Sequence, residues 1–98
     1  NMTLRCPIDT NGEFKFNEPP PYAKTASGDG MTVDKQGRYY VTSALGVQIF
    51  DPTGRPCGVL PKPDAGEPLT SCILAGPNHN TLFIAQGKTI YRRKLTVQ

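Results

Sequence analysis

Hydrophobic positions along this chain fall into short runs in which apolar and polar residues alternate, and nowhere into the spacing of an amphipathic helix. Successive side chains on a strand point to opposite faces, so this pattern predicts strands with one face on a core. The predicted strands are Met2 to Ile8, Glu13 to Phe16, Met31 to Val33, Arg38 to Ser43 and Gly46 to Phe50. Cys57 to Leu60, Ser71 to Leu74, Leu82 to Ala85 and Thr89 to Leu95 complete the set. No helix is expected, and the predicted fold class is all-β. Pro19-Pro20-Pro21 lies outside every predicted strand, because proline donates no hydrogen bond to a central ladder.

Between these runs the turn signals repeat. Asp9 to Gly12, Asp34 to Gly37 and Asp51 to Gly54 share the form Asp-x-x-Gly. An aspartate at the first position accepts hydrogen bonds from backbone two residues on, and glycine supplies a positive φ. These three aspartates are therefore read as structural.

The strands repeat as well. Met31-Thr32-Val33, Arg38 to Ser43 and Val47 to Phe50 are echoed by Cys72-Ile73-Leu74, Thr81 to Gln86 and Thr89-Ile90-Tyr91. The offset, about forty residues, is the length of a four-stranded propeller blade. Leu4 to Gly12 also echoes Val47 to Gly54, so the chain is expected to hold about two and a quarter blades. The predicted boundaries are 1–23 for the outer strands of one blade, 29–62 for a full blade, and 69–98 for most of the next. A blade buries its faces against its neighbours, so a stack this short leaves apolar surface open. The expected partners are the remaining blades of a longer polypeptide, or other copies of the chain closing one ring.

Composition narrows the function classes. A length of 98 residues fits one small domain, and ten glycines and ten prolines scattered among the apolar runs match a chain of many turns. The net charge of +3 is mild, and Arg92-Arg93-Lys94 is divided between the two faces of a strand. No nucleic-acid partner is expected from charge so arranged. No run approaches membrane-span length, so no membrane partner is expected and the chain is read as soluble, either cytoplasmic or periplasmic or secreted. Cys6, Cys57 and Cys72 form no metal-binding pair with each other or with His79, and are expected as buried thiols. His79, in Pro77-Asn78-His79-Asn80, is read as a turn residue.

One stretch carries a resemblance. Gly28-Asp29-Gly30-Met31-Thr32-Val33-Asp34-Lys35-Gln36-Gly37-Arg38-Tyr39-Tyr40-Val41 resembles the Pro-Asp-Gly-Met-x-x-Asp-x-x-Gly-x-x-x-Val signature of the gluconolactonase, senescence-marker and luciferin-regenerating family of six-bladed β-propellers. Val47 to Arg55 is similar to that family's outer hairpin, and Pro68-Leu69-Thr70-Ser71-Cys72 to the segment opening its next inner strand. The similarity runs from Leu4 to Leu95. Ser27-Gly28 departs from the Ile-Pro that commonly precedes the family's aspartate.

The resemblance implies a metal-dependent lactonase, hydrolysing sugar lactones or related esters. It implies that Asp29 is both a metal ligand and the catalytic general base, with one divalent cation, calcium before zinc or magnesium. Glycines on either side of Asp29 suit a sharp turn that presents a carboxylate to a cavity, and oxygen donors suit a hard cation. Thr70 and Ser71 are candidates for the substrate pocket, or equally for hydrogen bonds at the start of their own strand. The family's other ligands, a glutamate and asparagines of earlier blades, have no counterpart here, so the chain alone is expected to be inactive. A non-catalytic binding or scaffold propeller is the competing reading, since a fold does not fix a function.

Overall fold

The computed structural model describes residues 2–14, 21–25 and 28–95. Nine strands are found among them, all paired antiparallel, with no α-helix. They are β1 (Met2–Leu4), β2 (Pro21–Lys24), β3 (Met31–Val33), β4 (Tyr39–Ser43), β5 (Gly46–Phe50), β6 (Pro56–Leu60), β7 (Leu69–Ala75), β8 (Thr81–Gln86) and β9 (Thr89–Lys94). The all-β class is as expected. The strands form a two-stranded ribbon, β1-β2, a four-stranded sheet, β3-β4-β5-β6, and a three-stranded sheet, β7-β8-β9. Within each sheet, neighbours in space are neighbours in sequence.

The Asp-x-x-Gly turns are built alike. In each, the glycine N–H donates to the aspartate carbonyl, at 3.0 Å for Gly12, 3.0 Å for Gly37 and 2.9 Å for Gly54. Each aspartate Oδ1 also accepts two backbone N–H groups: Asn11 and Glu13 on Asp9, Gln36 and Arg38 on Asp34, Thr53 and Arg55 on Asp51. The three glycines have φ between 81° and 92°, which side-chain-bearing residues rarely adopt. The local prediction therefore holds in all three places.

Strand β4 lies at the centre and is buried along its whole length. Alternation sends Tyr39 and Val41 towards the ribbon, where they pack with Ala23 and Phe50. Tyr40 faces the other way, into a core with Val47, Leu69, Cys72, Leu74, Leu82 and Ile84 that joins the two larger sheets. Val47 and Leu82 are wholly buried there. Each such side chain contributes about 1.5–3 kcal/mol through loss of apolar surface from water. The ribbon is held more lightly: Tyr22 meets Tyr39 edge-on at 5.7 Å, Arg5 lies over the Tyr22 ring, and Arg5 donates to the Pro52 carbonyl at 2.8 Å.

Some expectations change. β1 ends at Leu4, and only an isolated bridge joins Ile8 to Phe14; the rest of the predicted Glu13 to Phe16 strand lies outside the described residues. Pro21 opens a strand that had not been predicted. It sits opposite Leu4 at the end of a two-stranded ribbon, beside a break in register, where a missing N–H disrupts no continuous ladder. β7 begins at Leu69, because the connection straightens onto Gln86 before Ser71 is reached. Pro77–His79 forms a single 3-10 turn, with Asn78 and His79 at positive φ and His79 N–H donating to the Gly76 carbonyl. Of the cysteines, only Cys72 is buried. Cys57 is exposed on β6, the outer strand of its sheet, and Cys6 is half-buried.

Candidate functional site

Asp29 sits one residue before the Gly30 that leads into β3, and its side chain is exposed. Its backbone is not loose. The Asp29 N–H donates to the Thr42 carbonyl at 3.3 Å, and the Thr42 N–H donates to the Gly30 carbonyl at 2.9 Å, so the β3–β4 pairing continues under the loop. The Thr42 hydroxyl accepts the Gly30 N–H at 2.8 Å and donates to the Gly30 carbonyl at 3.2 Å. On the other side, Gly30 abuts the start of β7. A carbon added to Gly30 would lie 2.5 Å from Ser71 Cα and 2.9 Å from the Thr70 carbonyl oxygen. Only glycine permits the loop to wedge between two sheets in this way.

Two open cavities border Asp29. One, of about 410 Å³, lies on the ribbon side, with Thr3, Thr25, Met31, Tyr39 and Val41 around it. The other, of about 290 Å³, opens towards the second sheet, with Thr42, Ser43, Lys62, Pro68 and Leu69 around it. Thr70 and Ser71 are exposed at the start of β7 and line neither cavity, although Ser71 is in backbone contact with the Asp29 loop. The Thr70 hydroxyl donates to the Ala85 carbonyl at 3.5 Å, a bond within its own sheet.

The connection that carries Lys62 is anchored by Gln86. Its amide N–H groups donate to the carbonyls of Asp64 and Glu67, and its amide oxygen accepts the Asp64 N–H at 2.9 Å. Thr42, Lys62 and Gln86 were not singled out from the sequence. For Thr42 the one available signal was a hydroxyl, beside that of Ser43, following the aromatic and apolar Tyr39, Tyr40 and Val41. Lys62 and Gln86 gave none, because a fold-back of the 61–68 connection brings them to this end.

The other carboxylate flanking β3, Asp34, lies beyond its far end. Asp34 Oδ2 accepts Arg38 Nε at 2.6 Å and the Tyr40 hydroxyl at 3.0 Å, with the Asp34 side chain 4% exposed. Burial raises the Asp34 pKa, but the hydrogen bonds from the Arg38 backbone, the Arg38 side chain and Tyr40 together hold it below its ordinary value. Burial, then the Asp34 carboxylate, pushes the Tyr40 phenol up. A carboxylate so fully partnered is a structural anchor.

Comparison with known proteins settles the family. Residues 4–88 match the SMP-30/Gluconolactonase/LRE-like region. The chain belongs to that family. Over 64 residues, 65% of the chain, it is 36% identical to a gluconolactonase of Zymomonas mobilis. Its fold matches the structure of a gluconolactonase from Xanthomonas campestris with a TM-score of 0.71 and 27% identity over 86% of the chain. The chain spans 17% of the length of the Zymomonas protein and 27% of the Xanthomonas one. Its sheets are accordingly blades of a β-propeller, and the site is judged as one portion of a larger surface.

Asp29 suits a hard divalent cation as one oxygen donor: exposed, at a cavity and rigidly based. Among the described residues, no three His, Cys, Asp or Glu side chains gather to hold a metal ion. The described residues thus offer Asp29 as one candidate oxygen donor and not a coordination shell. No helix among them is long and apolar enough to cross a membrane.

Proposed function

We propose that this chain is the Asp29-bearing part of a metal-dependent lactonase acting on sugar lactones or related cyclic esters. The observation that carries the reading is the presentation of Asp29. Asp29 is exposed and lines two cavities, on a loop pinned from both sides, in a chain of the gluconolactonase family. In this role Asp29 is one ligand of the cation, and it orients and deprotonates the attacking water. A bound divalent cation, calcium before zinc or magnesium, supplies Lewis acidity towards the lactone carbonyl. Thr70 and Ser71, beside the Asp29 loop but outside both cavities, meet the lactone only where the other blades extend the site. The remaining ligands come from other blades of the same ring, and the isolated chain is therefore inactive.

The test is acid release from D-glucono-δ-lactone at constant pH, by a complete propeller carrying this segment and by the 98-residue chain alone. The complete propeller should turn over, lose activity to a chelator, and fall on the order of 10²-fold or more with Asp29→Asn. An Asp29→Asn enzyme at full rate removes Asp29 from the mechanism. Metal-dependent turnover by the 98-residue chain alone overturns the need for other blades.

A further inference from the structure

We infer that Thr42 is the positioning residue for Asp29, a role that rests on the reading of Asp29 as a metal-binding base. The Asp29 loop has glycine on both sides, so its own backbone has little preference for one conformation. A carboxylate must nevertheless be held closely in place to serve a cation and a water. The restraint has to come from outside the loop, and Thr42 provides it through both its side chain and its main chain.

Three features single Thr42 out. It is wholly buried, 0% exposed, so water does not compete for its bonds. Its hydroxyl meets both polar groups of Gly30, accepting from the N–H at 2.8 Å and donating to the carbonyl at 3.2 Å. Its branched Cβ restricts χ1, so the hydroxyl is locked in place rather than rotating among partners. The direct bond from the Asp29 N–H, at 3.3 Å, is by comparison long. Without the hydroxyl, the Gly30 N–H loses the bond that fixes the residue following Asp29.

The experiment compares wild type with Thr42→Val, Thr42→Ser and Asp29→Asn in a complete propeller carrying this segment, using two readouts. The first is hydrogen exchange of the Asp29 and Gly30 amides, measured against those of the β4–β5 ladder. The second is broadening of the amide resonances of residues 28–31 by added Mn²⁺, which reports even sparse occupancy at the carboxylate. Thr42→Val should speed exchange at Gly30 at least tenfold, leave the β4–β5 ladder unchanged, and weaken the Mn²⁺ effect at least fivefold. Thr42→Ser, which keeps the hydroxyl but not the branched Cβ, should restore both in greater part.

Mn²⁺ broadening in Thr42→Val equal to wild type overturns the positioning role while leaving Asp29 as ligand. Broadening that is absent from wild type, or unchanged in Asp29→Asn, sinks the ligand reading and the role that rests on it. If Thr42→Val does not fold, Thr42→Ser against Thr42→Cys makes the same comparison at nearly constant volume.

Discussion

Gly30 and Ser71 approach so closely that one added methyl on Gly30 would stand 2.5 Å from Ser71 Cα. Both partners are backbone, so no side chain can swing aside to make room. This contact lets the entry to β3 and the start of β7 share one end of the structure. Gly30→Ala must push the two sheets apart or distort the loop, and overpacking of this kind costs about 1–3 kcal/mol. Urea unfolding of the variant should show a lowered midpoint. An Ala variant of wild-type stability would mean that the sheets adjust freely there.

The Asp34 cluster sets an acid limit on stability. Its folded-state pKa lies below the ordinary 3.8 because its hydrogen bonds outweigh the effect of burial. A depressed carboxylate contributes stability above the unfolded-state value, and that contribution is lost as pH falls through the folded-state value. The chain should therefore lose stability progressively below about pH 4. Asp34→Asn should cost about 2 kcal/mol at neutral pH and flatten the acid limb. Equilibrium unfolding measured from pH 7 down to pH 2 checks both.

The cysteines should differ in reactivity. Burial pushes the Cys72 thiol up to about 11, so at neutral pH it is protonated as well as shielded. Cys57 is exposed. Maleimide labelling of the native chain, read by mass spectrometry, should modify Cys57 and spare Cys72 until denaturant is added. Labelling of Cys72 at the rate of Cys57 would show the joint between the two larger sheets opening readily.

Gln86 ties the 61–68 connection to the end of β8 through three hydrogen bonds. Gln86→Ala should destabilise by about 1–3 kcal/mol, since three part-buried hydrogen bonds and a buried side chain are lost together. The effect should be uneven, with the Asp64 amide exchanging far faster than the amides of β8. Unchanged protection at Asp64 would show that the connection is held by other contacts.

How much could be read in advance depended on how local each feature was. Asp9, Asp34 and Asp51 shape their turns through bonds spanning at most four residues, and all three turns formed as expected. β2 was missed because its existence depends on pairing with β1, some twenty residues away, and Pro21 argued against it. The exposure of Cys57 was missed for a related reason: an apolar run does not reveal which of its faces a distant sheet will cover. At the site, Asp29 was visible through its motif, whereas Thr42 and Lys62 reach it only through strand pairing and the fold-back of the connection. No spacing along the chain encodes that meeting.

The Asp-x-x-Gly turns look like interchangeable parts, but their surroundings differ. The Asp9 and Asp51 side chains bind their own turns, yet the 51–55 turn also accepts the Tyr22 hydroxyl at the Asp51 carbonyl and Arg5 at the Pro52 carbonyl, which ties it to the ribbon. The copy at Asp34 has been recruited further. Its second oxygen reaches Arg38 and Tyr40, and the Tyr40 ring is part of the joint between the two larger sheets. A part duplicated for its shape has here become a fastener between units, so the middle turn can no longer be replaced by its twins without loosening one blade from the next.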